Sequence, residues 1–228
     1  LQTNDQQRRR LLADVTHELR TPLTVIQGGL EAVLDGVHPA DPSHLNTILD
    51  ETRVMGRLID DLRTLALAEA GALRLMREPV DLSVLANEAA AAFQAQAQAT
   101  GVTLAVETSP DLPLADLDPL RIREVLTNLI ANALRYTPVG GRITVTAQVD
   151  SPERLRVTVS DTGAGIPPER LAHIFDRFYK SDESHGSGLG LAIAQSLVES
   201  HGGTLQVEST IGAGTTFTIR LPLQETVA

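Results

Sequence analysis

Two places in the chain combine residue types and spacings that could do chemistry. The first is "LLADVTHELRTPLT", which begins at Leu11 and holds His17, Glu18 and Thr21. A neutral imidazole offers one nitrogen lone pair as a nucleophile. An adjacent carboxylate can hold the proton on the other nitrogen. The spacing is not that of a zinc protease, because Thr21 stands where HExxH needs its second histidine. Taken alone, His17 reads more simply as an ordinary exposed histidine on a helix.

The second place is spread over the C-terminal half. Asn128 and Asn132 are one helical turn apart, with Arg135 on nearly the same face. Asparagine is a mediocre helix former, so two on one stripe ask for a reason. An amide oxygen can ligate Mg²⁺ without adding negative charge beside phosphates. "SDTGAGIP" places Asp161 at a strand end, followed by Gly163 and Gly165. An acid there can accept from an exocyclic amine while the glycines let a flat ring approach the backbone. "HGSGLGLAI" places Gly186, Gly188 and Gly190 before and into a helix, where free N–H groups suit phosphate. The spacing is neither Walker A nor GxGxxG. Each feature alone also fits a structural reading: surface amides, a glycine turn, a helix start. Between the last two motifs lie Phe175, Phe178 and Tyr179, in a chain with four Phe and two Tyr. A polar, glycine-ended stretch after an aromatic anchor has the composition of a mobile lid.

The elements that must position these groups differ between the two halves. Leu12, Val15, Leu19, Leu23, Ile26, Leu30 and Val33 fall at steps of three and four and predict one helical stripe. His17 lies roughly opposite that seam, so it projects outward. Pro22 denies the Glu18 carbonyl its helical partner, which predicts a bend after the histidine. Gly36, Pro39 and Pro42 break the helix, and Ser43 is the expected cap of the next. The second stripe runs through Leu45, Ile48, Thr52, Met55, Leu58 or Ile59, Leu62 and Leu65, and Gly71 ends it. A hairpin about 50 Å long cannot cover both stripes by itself. Two hairpins pairing into a four-helix bundle would cover them, so a homodimer is expected; packing on the rest of its own chain is the alternative.

From Pro79 onward strands and helices mix. A short strand and one Ala-rich helix run to Gly101, and "VTLAVE" alternates as a strand. A helix begins at Asp118 and Pro119, with aspartate as cap and proline at its first position. "GRITVTAQV" and "RLRVTVSDTG" predict paired strands, and "TLQVEST" with "TTFTIRLPL" a last hairpin around "IGAG". The pattern predicts an α+β sandwich, with helices on one face of a largely antiparallel sheet. The expected organisation is a hairpin over 1–71, a linker over 72–79 and an α+β domain over 80–228.

Composition narrows the function classes. The 228 residues are 42% hydrophobic and 21% charged, which supports packed cores and argues against disorder. A net charge of -10 excludes a broad basic face for nucleic acid. An anionic ligand would need local devices: backbone amides, a helix start, a metal. There is no cysteine, which rules out disulfides, thiolate catalysis and cysteine-ligated zinc. No apolar run approaches the roughly 20 residues that span a bilayer. Because the chain starts at Leu1 rather than Met, it is expected to be a fragment, with any membrane anchor upstream.

Together these motifs resemble the cytoplasmic kinase core of the sensor histidine kinases of two-component systems. "HELRTPLT" resembles the H box, "NLIANALRYT" the N box, "DTGAGI" the G1 box, "FDRFYK" the F box and "GSGLGL" the G2 box, with "GAGT" as the last glycine motif. The nucleotide half is also similar to DNA gyrase, MutL and heat-shock chaperone ATPases; the H box upstream favours the kinase. The resemblance implies a dimeric four-helix bundle followed by a Bergerat-type (GHKL-type) ATP-binding domain. It implies His17 as phosphoacceptor, Glu18 as its acid partner, and Thr21 as the residue that positions water for dephosphorylating a partner. Asn132 would be the main Mg²⁺ ligand with Asn128 beside it, Arg135 would lie near the phosphates, and Asp161 would meet the adenine amine. Gly163, Gly165, Gly186, Gly188 and Gly190 would shape pocket and lid; Tyr136, Lys180, Leu189 and Thr215 complete the expected nucleotide contacts. The implied cofactors are ATP and Mg²⁺, and the implied partners a second copy and a response-regulator receiver domain. Two departures stand out: the stretch from Lys180 to Gly186 is short, and His185 replaces the first glycine of the usual pair. A non-catalytic scaffold and a gyrase-type hydrolase are the rival functions.

Overall fold

The computed structural model describes residues 2–180 and 187–223, with side chains from Ala13 onward. The chain forms two compact units. The first runs up to Thr64, and the second holds the described residues from Leu65 onward except Ser187.

The first unit is built on two long helices, α1 (Gln2–Leu34) and α2 (Pro42–Glu69), the last turn of α2, from Leu65, being counted with the second unit. α1 continues as helix through Pro22. The cap of α2 is Asp41 rather than Ser43. Its Oδ1 accepts the His44 N–H at 3.0 Å, and Pro42, which has no N–H to satisfy, opens the helix. The His44 ring pairs with the same Asp41 oxygen at 2.9 Å and stacks on His38 at 4.7 Å. Bonds from His44, its backbone N–H first, hold the Asp41 carboxyl below its ordinary value. α1 and α2 approach closely at Gly29, where a Cβ would stand 3.0 Å from Ile48 Cγ1. Much of the apolar stripe is left uncovered: Leu23, Leu30, Leu45 and Ile59 are 42–51% exposed.

The first strand of the second unit is β1 (Glu78–Val80), followed by α3 (Leu82–Ala91), which Asp81 caps through the N–H groups of Ser83 and Val84. The expected single Ala-rich helix is two. The Phe93 N–H turns back to the Ala90 carbonyl, and α4 (Gln94–Ala99) restarts beyond it. The break lets both pieces pack on β2 (Thr103–Thr108) through small buried faces, Ala86 and Ala89 on α3 and Ala97 on α4. A short β3 (Ala115–Leu117) pairs antiparallel with β1 and leads into α5 (Pro119–Tyr136). Then come β4 (Arg142–Ser151), β5 (Arg154–Asp161), the single turn α6 (Pro168–Leu171), α7 (Gly190–Ser200), β6 (Thr204–Thr210) and β7 (Gly214–Pro222).

The main sheet has the order β2-β4-β5-β7-β6. It is antiparallel except for β2 and β4, which run parallel. A parallel pair needs a crossover, and α5 is that crossover, which sets it against one sheet face. The core lies between this face and the helices. Ile143, Val145, Leu155, Val157, Val159, Phe217, Ile219 and Leu221 meet Ile122, Leu126, Leu129 and Ile130 of α5 and Ile193 and Leu197 of α7, all nearly fully buried. No helix among the described residues is long and apolar enough to cross a membrane.

Candidate functional site

Strand alternation sets the first part of the site. Along β5 the inward residues are Leu155, Val157, Val159 and then Asp161; along β7 they are Leu221, Ile219, Phe217 and then Thr215. Asp161 and Thr215 face each other in register, so the core row ends in an acid beside a hydroxyl. Asp161 Oδ1 accepts the Gly163 N–H at 2.8 Å and the Thr215 N–H at 3.3 Å. Among the described residues both bonds fall on this oxygen, which leaves Oδ2 for an incoming donor. Burial holds the Asp161 carboxyl above its ordinary value, while the Gly163 and Thr215 N–H groups pull the other way.

The loop after Asp161 is held close to the end of α5. A Cβ at Gly163 would collide with the Tyr136 carbonyl and come within 2.7 Å of Asp161 Oδ1, so only glycine fits. The Ala164 N–H reaches the Tyr136 carbonyl at 3.3 Å, and the Ala164 carbonyl accepts from Gly212 at 2.8 Å. Gly165 lies against the Thr210 backbone in a left-handed conformation. Asp161, Gly163, Gly165, Thr215 and the Tyr136 backbone thus form one cluster; the Tyr136 side chain is 40% exposed.

The other cluster lies farther back on α5. Ile122, Val125, Leu126, Leu129, Ile130, Ala133 and Leu134 bury one face, and Asn128 and Asn132 flank it half-buried, with Arg135 exposed beyond them. Gly190, the first residue of α7, lies against Asn128: a Cβ there would stand 3.5 Å from Asn128 Oδ1, an ordinary contact. At about 1.5 Å per residue, Asn128 and Tyr136 are roughly 12 Å apart along the axis. The second half of α5 therefore spans from the Gly190 helix start to the Asp161 loop.

Leu189 immediately precedes α7 and is fully buried, which anchors that helix start. Gly188 touches the Phe178 backbone, 2.8 Å from Phe178 Cα to a built Cβ. The two ends of the intervening segment therefore meet. Phe178 itself has a left-handed backbone, φ 58°, unusual for a bulky residue. Lys180 is half-buried. Gly186, His185 and the rest of the expected lid lie outside the described residues.

On the hairpin, His17 is exposed and Glu18 half-buried beside it, and the Thr21 hydroxyl is 3.4 Å from the His17 carbonyl it donates to. Ser209 is a supporting residue that the motifs do not reveal. Its hydroxyl accepts the Ile166 N–H at 2.8 Å, donates to the Gly214 carbonyl at 2.9 Å and lies 2.9 Å from the Thr215 hydroxyl. It ties the glycine loop to the β6–β7 turn. The signal is its pairing with Thr215 across "IGAG", which requires the register.

The described residues hold no cluster of three or more His, Cys, Asp or Glu that could bind a metal. The oxygen donors that α5 offers on this face include the amides of Asn128 and Asn132. Neutral oxygen donors, few in number, fit Mg²⁺, which keeps several waters and takes phosphate oxygens as its remaining ligands.

Comparison with known proteins agrees with this geometry. Residues 7–71 match the His Kinase A (phospho-acceptor) domain family, and residues 117–225 match the family described as Histidine kinase-, DNA gyrase B-, and HSP90-like ATPase. The chain is similar to the signal transduction histidine-protein kinase BaeS of Escherichia coli (strain K12), 37% identical over 98% of this chain and 49% of BaeS. It thus spans about half the length of that curated relative, and less of others. Among solved structures it is similar to the Acinetobacter baumannii histidine kinase AdeS, at TM-score 0.78 and 30% identity, over 92% of this chain and 98% of that one. It is also similar to histidine kinase ThkA in complex with response regulator protein TrrA, at TM-score 0.72 and 26% identity, over 96% of this chain and 63% of that one. The phospho-acceptor hairpin, the ATPase unit and the likeness to AdeS over nearly its whole length lead to one conclusion: this chain belongs to the histidine kinase family of two-component signal transduction.

Proposed function

We propose that this chain transfers the γ-phosphoryl group of ATP to His17 and then to an aspartate on a response-regulator receiver domain. One observation carries the reading. A single chain joins an exposed histidine on a phospho-acceptor hairpin to a unit whose core row ends in Asp161 beside a glycine loop and a pair of half-buried amides.

In this reading Asp161 Oδ2 accepts from the adenine amine, and Gly163, Gly165 and the Thr210–Gly212 turn let the ring approach the backbone. Tyr136, Lys180, Leu189 and Thr215 border the nucleotide, and Gly188 and Gly190 open the start of α7 to its phosphates. Asn132, with Asn128 beside it, would hold Mg²⁺, and Arg135 would face the phosphates. Bound there, Mg²⁺ offsets charge on the phosphate oxygens. His17 attacks through the lone pair of its neutral ring. A nitrogen–phosphorus bond forms as the γ-phosphorus–bridging oxygen bond breaks, and ADP leaves with that electron pair. Glu18 takes the ring proton from the other nitrogen. Catalysis is chiefly positioning and charge compensation. Thr21, one turn beyond His17, would hold the water that dephosphorylates the regulator. The exposed apolar stripe of the hairpin supports a homodimer, and the complex of ThkA with TrrA supports a response regulator as partner.

The test is incubation of the purified chain with γ-labelled ATP. The expected label is acid-labile, base-stable and absent from His17→Gln. Label persisting in that variant would remove His17 from the scheme, and nucleotide turnover with no protein label would favour the hydrolase. Thr21→Ala should keep the label yet slow dephosphorylation of an added regulator; an unchanged rate would remove the phosphatase role.

A further inference from the structure

His201 lies at the end of α7, far along that helix from Gly190, and the scheme above does not use it. Its ring is 1% exposed and both nitrogens are engaged. Nδ1 is 2.7 Å from the Leu197 carbonyl, which can only accept, so Nδ1 carries the proton. Nε2 is then a bare lone pair, and it accepts the Asp118 N–H at 3.1 Å. One neutral tautomer satisfies both partners. An imidazolium would set an N–H against an N–H.

Asp118 is the cap of α5 and is itself 4% exposed. Its Oδ1 accepts from the Arg121 N–H at 3.1 Å, and its Oδ2 from the Met76 N–H at 2.8 Å. The next residue, Arg77, reaches the Asp116 carbonyl at 3.3 Å and the Ser200 carbonyl at 3.5 Å. Four groups thus converge: the end of α7, the start of α5, the end of β3 and residues 76–77 leading into β1. The Asp118–His201 bond joins α5 and α7 at one end, and Asn128 and Gly190 meet farther along the same pair. The two helices therefore run antiparallel from this latch to the phosphate end of the site.

We propose that His201 is a positioning residue for the nucleotide site, latching α7 to the cap of α5 and, through Asp118, to residues 76–77, so that the Asn128–Gly190 spacing depends on it. The proposal rests on the nucleotide-binding reading of that site. Among the described residues the charged groups acting on the ring are Arg77 and Asp118. Burial, then the field of Arg77, hold the imidazole below its ordinary value, against the opposing pull of the Leu197 carbonyl and of Asp118. The latch is therefore whole at neutral pH. As pH falls below about 6.5, the unfolded chain takes a proton that the folded one resists, so stability falls with pH.

The experiment compares the full chain with His201→Gln, which keeps an acceptor near the Nε2 position, and His201→Phe, which keeps only volume. The readouts are the Mg-ATP Kd by calorimetry from pH 7.5 to 5.0 and amide exchange at Met76, Asp118 and Asn128. At pH 7.5, His201→Phe should bind Mg-ATP roughly tenfold more weakly and exchange its Asp118 amide about tenfold faster, the cost of orphaning one buried donor. His201→Gln should restore both. The wild type should lose affinity with falling pH more steeply than His201→Gln; protonation of the nucleotide itself is common to both and cancels in their ratio. A pH-independent ratio overturns the proposal, as does wild-type affinity in folded His201→Phe. If His201→Phe does not fold, the ratio still decides. If no form of the chain binds nucleotide, the site reading fails instead, and Asp118 and Asn128 exchange in the wild type and His201→Gln across the same pH range still tests the latch: exchange in the wild type that does not rise with acid, relative to His201→Gln, refutes it.

Discussion

Asp161→Asn separates recognition from folding. In the wild type one carboxylate oxygen takes both internal bonds, from Gly163 at 2.8 Å and Thr215 at 3.3 Å. An asparagine can keep its carbonyl oxygen there and place its NH₂ where Oδ2 stood. Folding then loses no partner, but the group that the proposed reading offers to the adenine amine changes from acceptor to donor. A hydrogen bond to a charged group is worth about 1.5–3 kcal/mol, so the ATP Kd should rise about 10- to 150-fold. Stability should move the other way or hardly at all. Burial holds the Asp161 carboxyl above its ordinary value, so the folded chain retains a proton that the unfolded chain has already lost. The wild type is therefore favoured at low pH and loses that advantage as pH rises through the raised value; at pH 7 it buries an unwelcome charge that asparagine lacks. The melting temperature at pH 7 should stay within about 4 °C of wild type or rise. The assay is calorimetric binding of ATP and of inosine triphosphate, which lacks the amine, beside thermal unfolding. The wild type should prefer ATP and the variant should not. Unchanged affinity and preference, in a variant that folds, would refute the role given to Asp161. A collapsed melting temperature would refute the claim that an amide can serve Gly163 and Thr215.

Gly163→Ala should cost roughly 1–3 kcal/mol of stability, because its Cβ meets the Tyr136 carbonyl and Asp161 Oδ1. Urea denaturation measures this, and an unshifted midpoint would mean that the loop has room that the structure denies it. Leu30→Glu combined with Leu49→Glu should convert a dimer to a monomer in light scattering, since each leucine, 44–45% exposed on the hairpin, is worth about 1.5–3 kcal/mol when covered. A dimer that survives both changes would place the interface elsewhere.

What could be read in advance follows from what is local. The start of α5 was legible because Asp118 and Pro119 are a cap and a first-turn residue in the right order. Asn128 and Asn132 stood out as two mediocre helix formers one turn apart on it. The parallel pairing of β2 with β4 was not legible, because direction is a property of two strands, and the alternation in "VTLAVE" reads the same either way. β3 has only three residues, too few to show a period. The Ala92–Phe93 break carries no glycine or proline, and α3 and α4 bend on tertiary contact with the sheet. Asp41 shows a different failure. Two good caps, Asp41 and Ser43, flank Pro42, and the choice falls to aspartate because proline belongs just inside the helix rather than before it.

The site itself was legible where it breaks a pattern. Leu155, Val157 and Val159 build a core row, and a fourth apolar residue at the end of β5 would only extend it; the chain places Asp161 there instead. The row on β7 ends likewise in Thr215 after Phe217. Two adjacent strands therefore surrender apolar burial at the same level of the sheet, next to glycines that no side chain could replace without collision. Burying a carboxylate is unfavourable unless it is hydrogen-bonded, and here only one of its two oxygens is satisfied internally. The remaining oxygen makes the arrangement intelligible as a receptor. His201 and Asp118 give the opposite case at the far end of α5. There each polar atom of the pair already has its partner within the protein, so the cluster has no room for a ligand. What it can still do is hold α5 and α7 in place, and a proton arriving on its one bare nitrogen would release them.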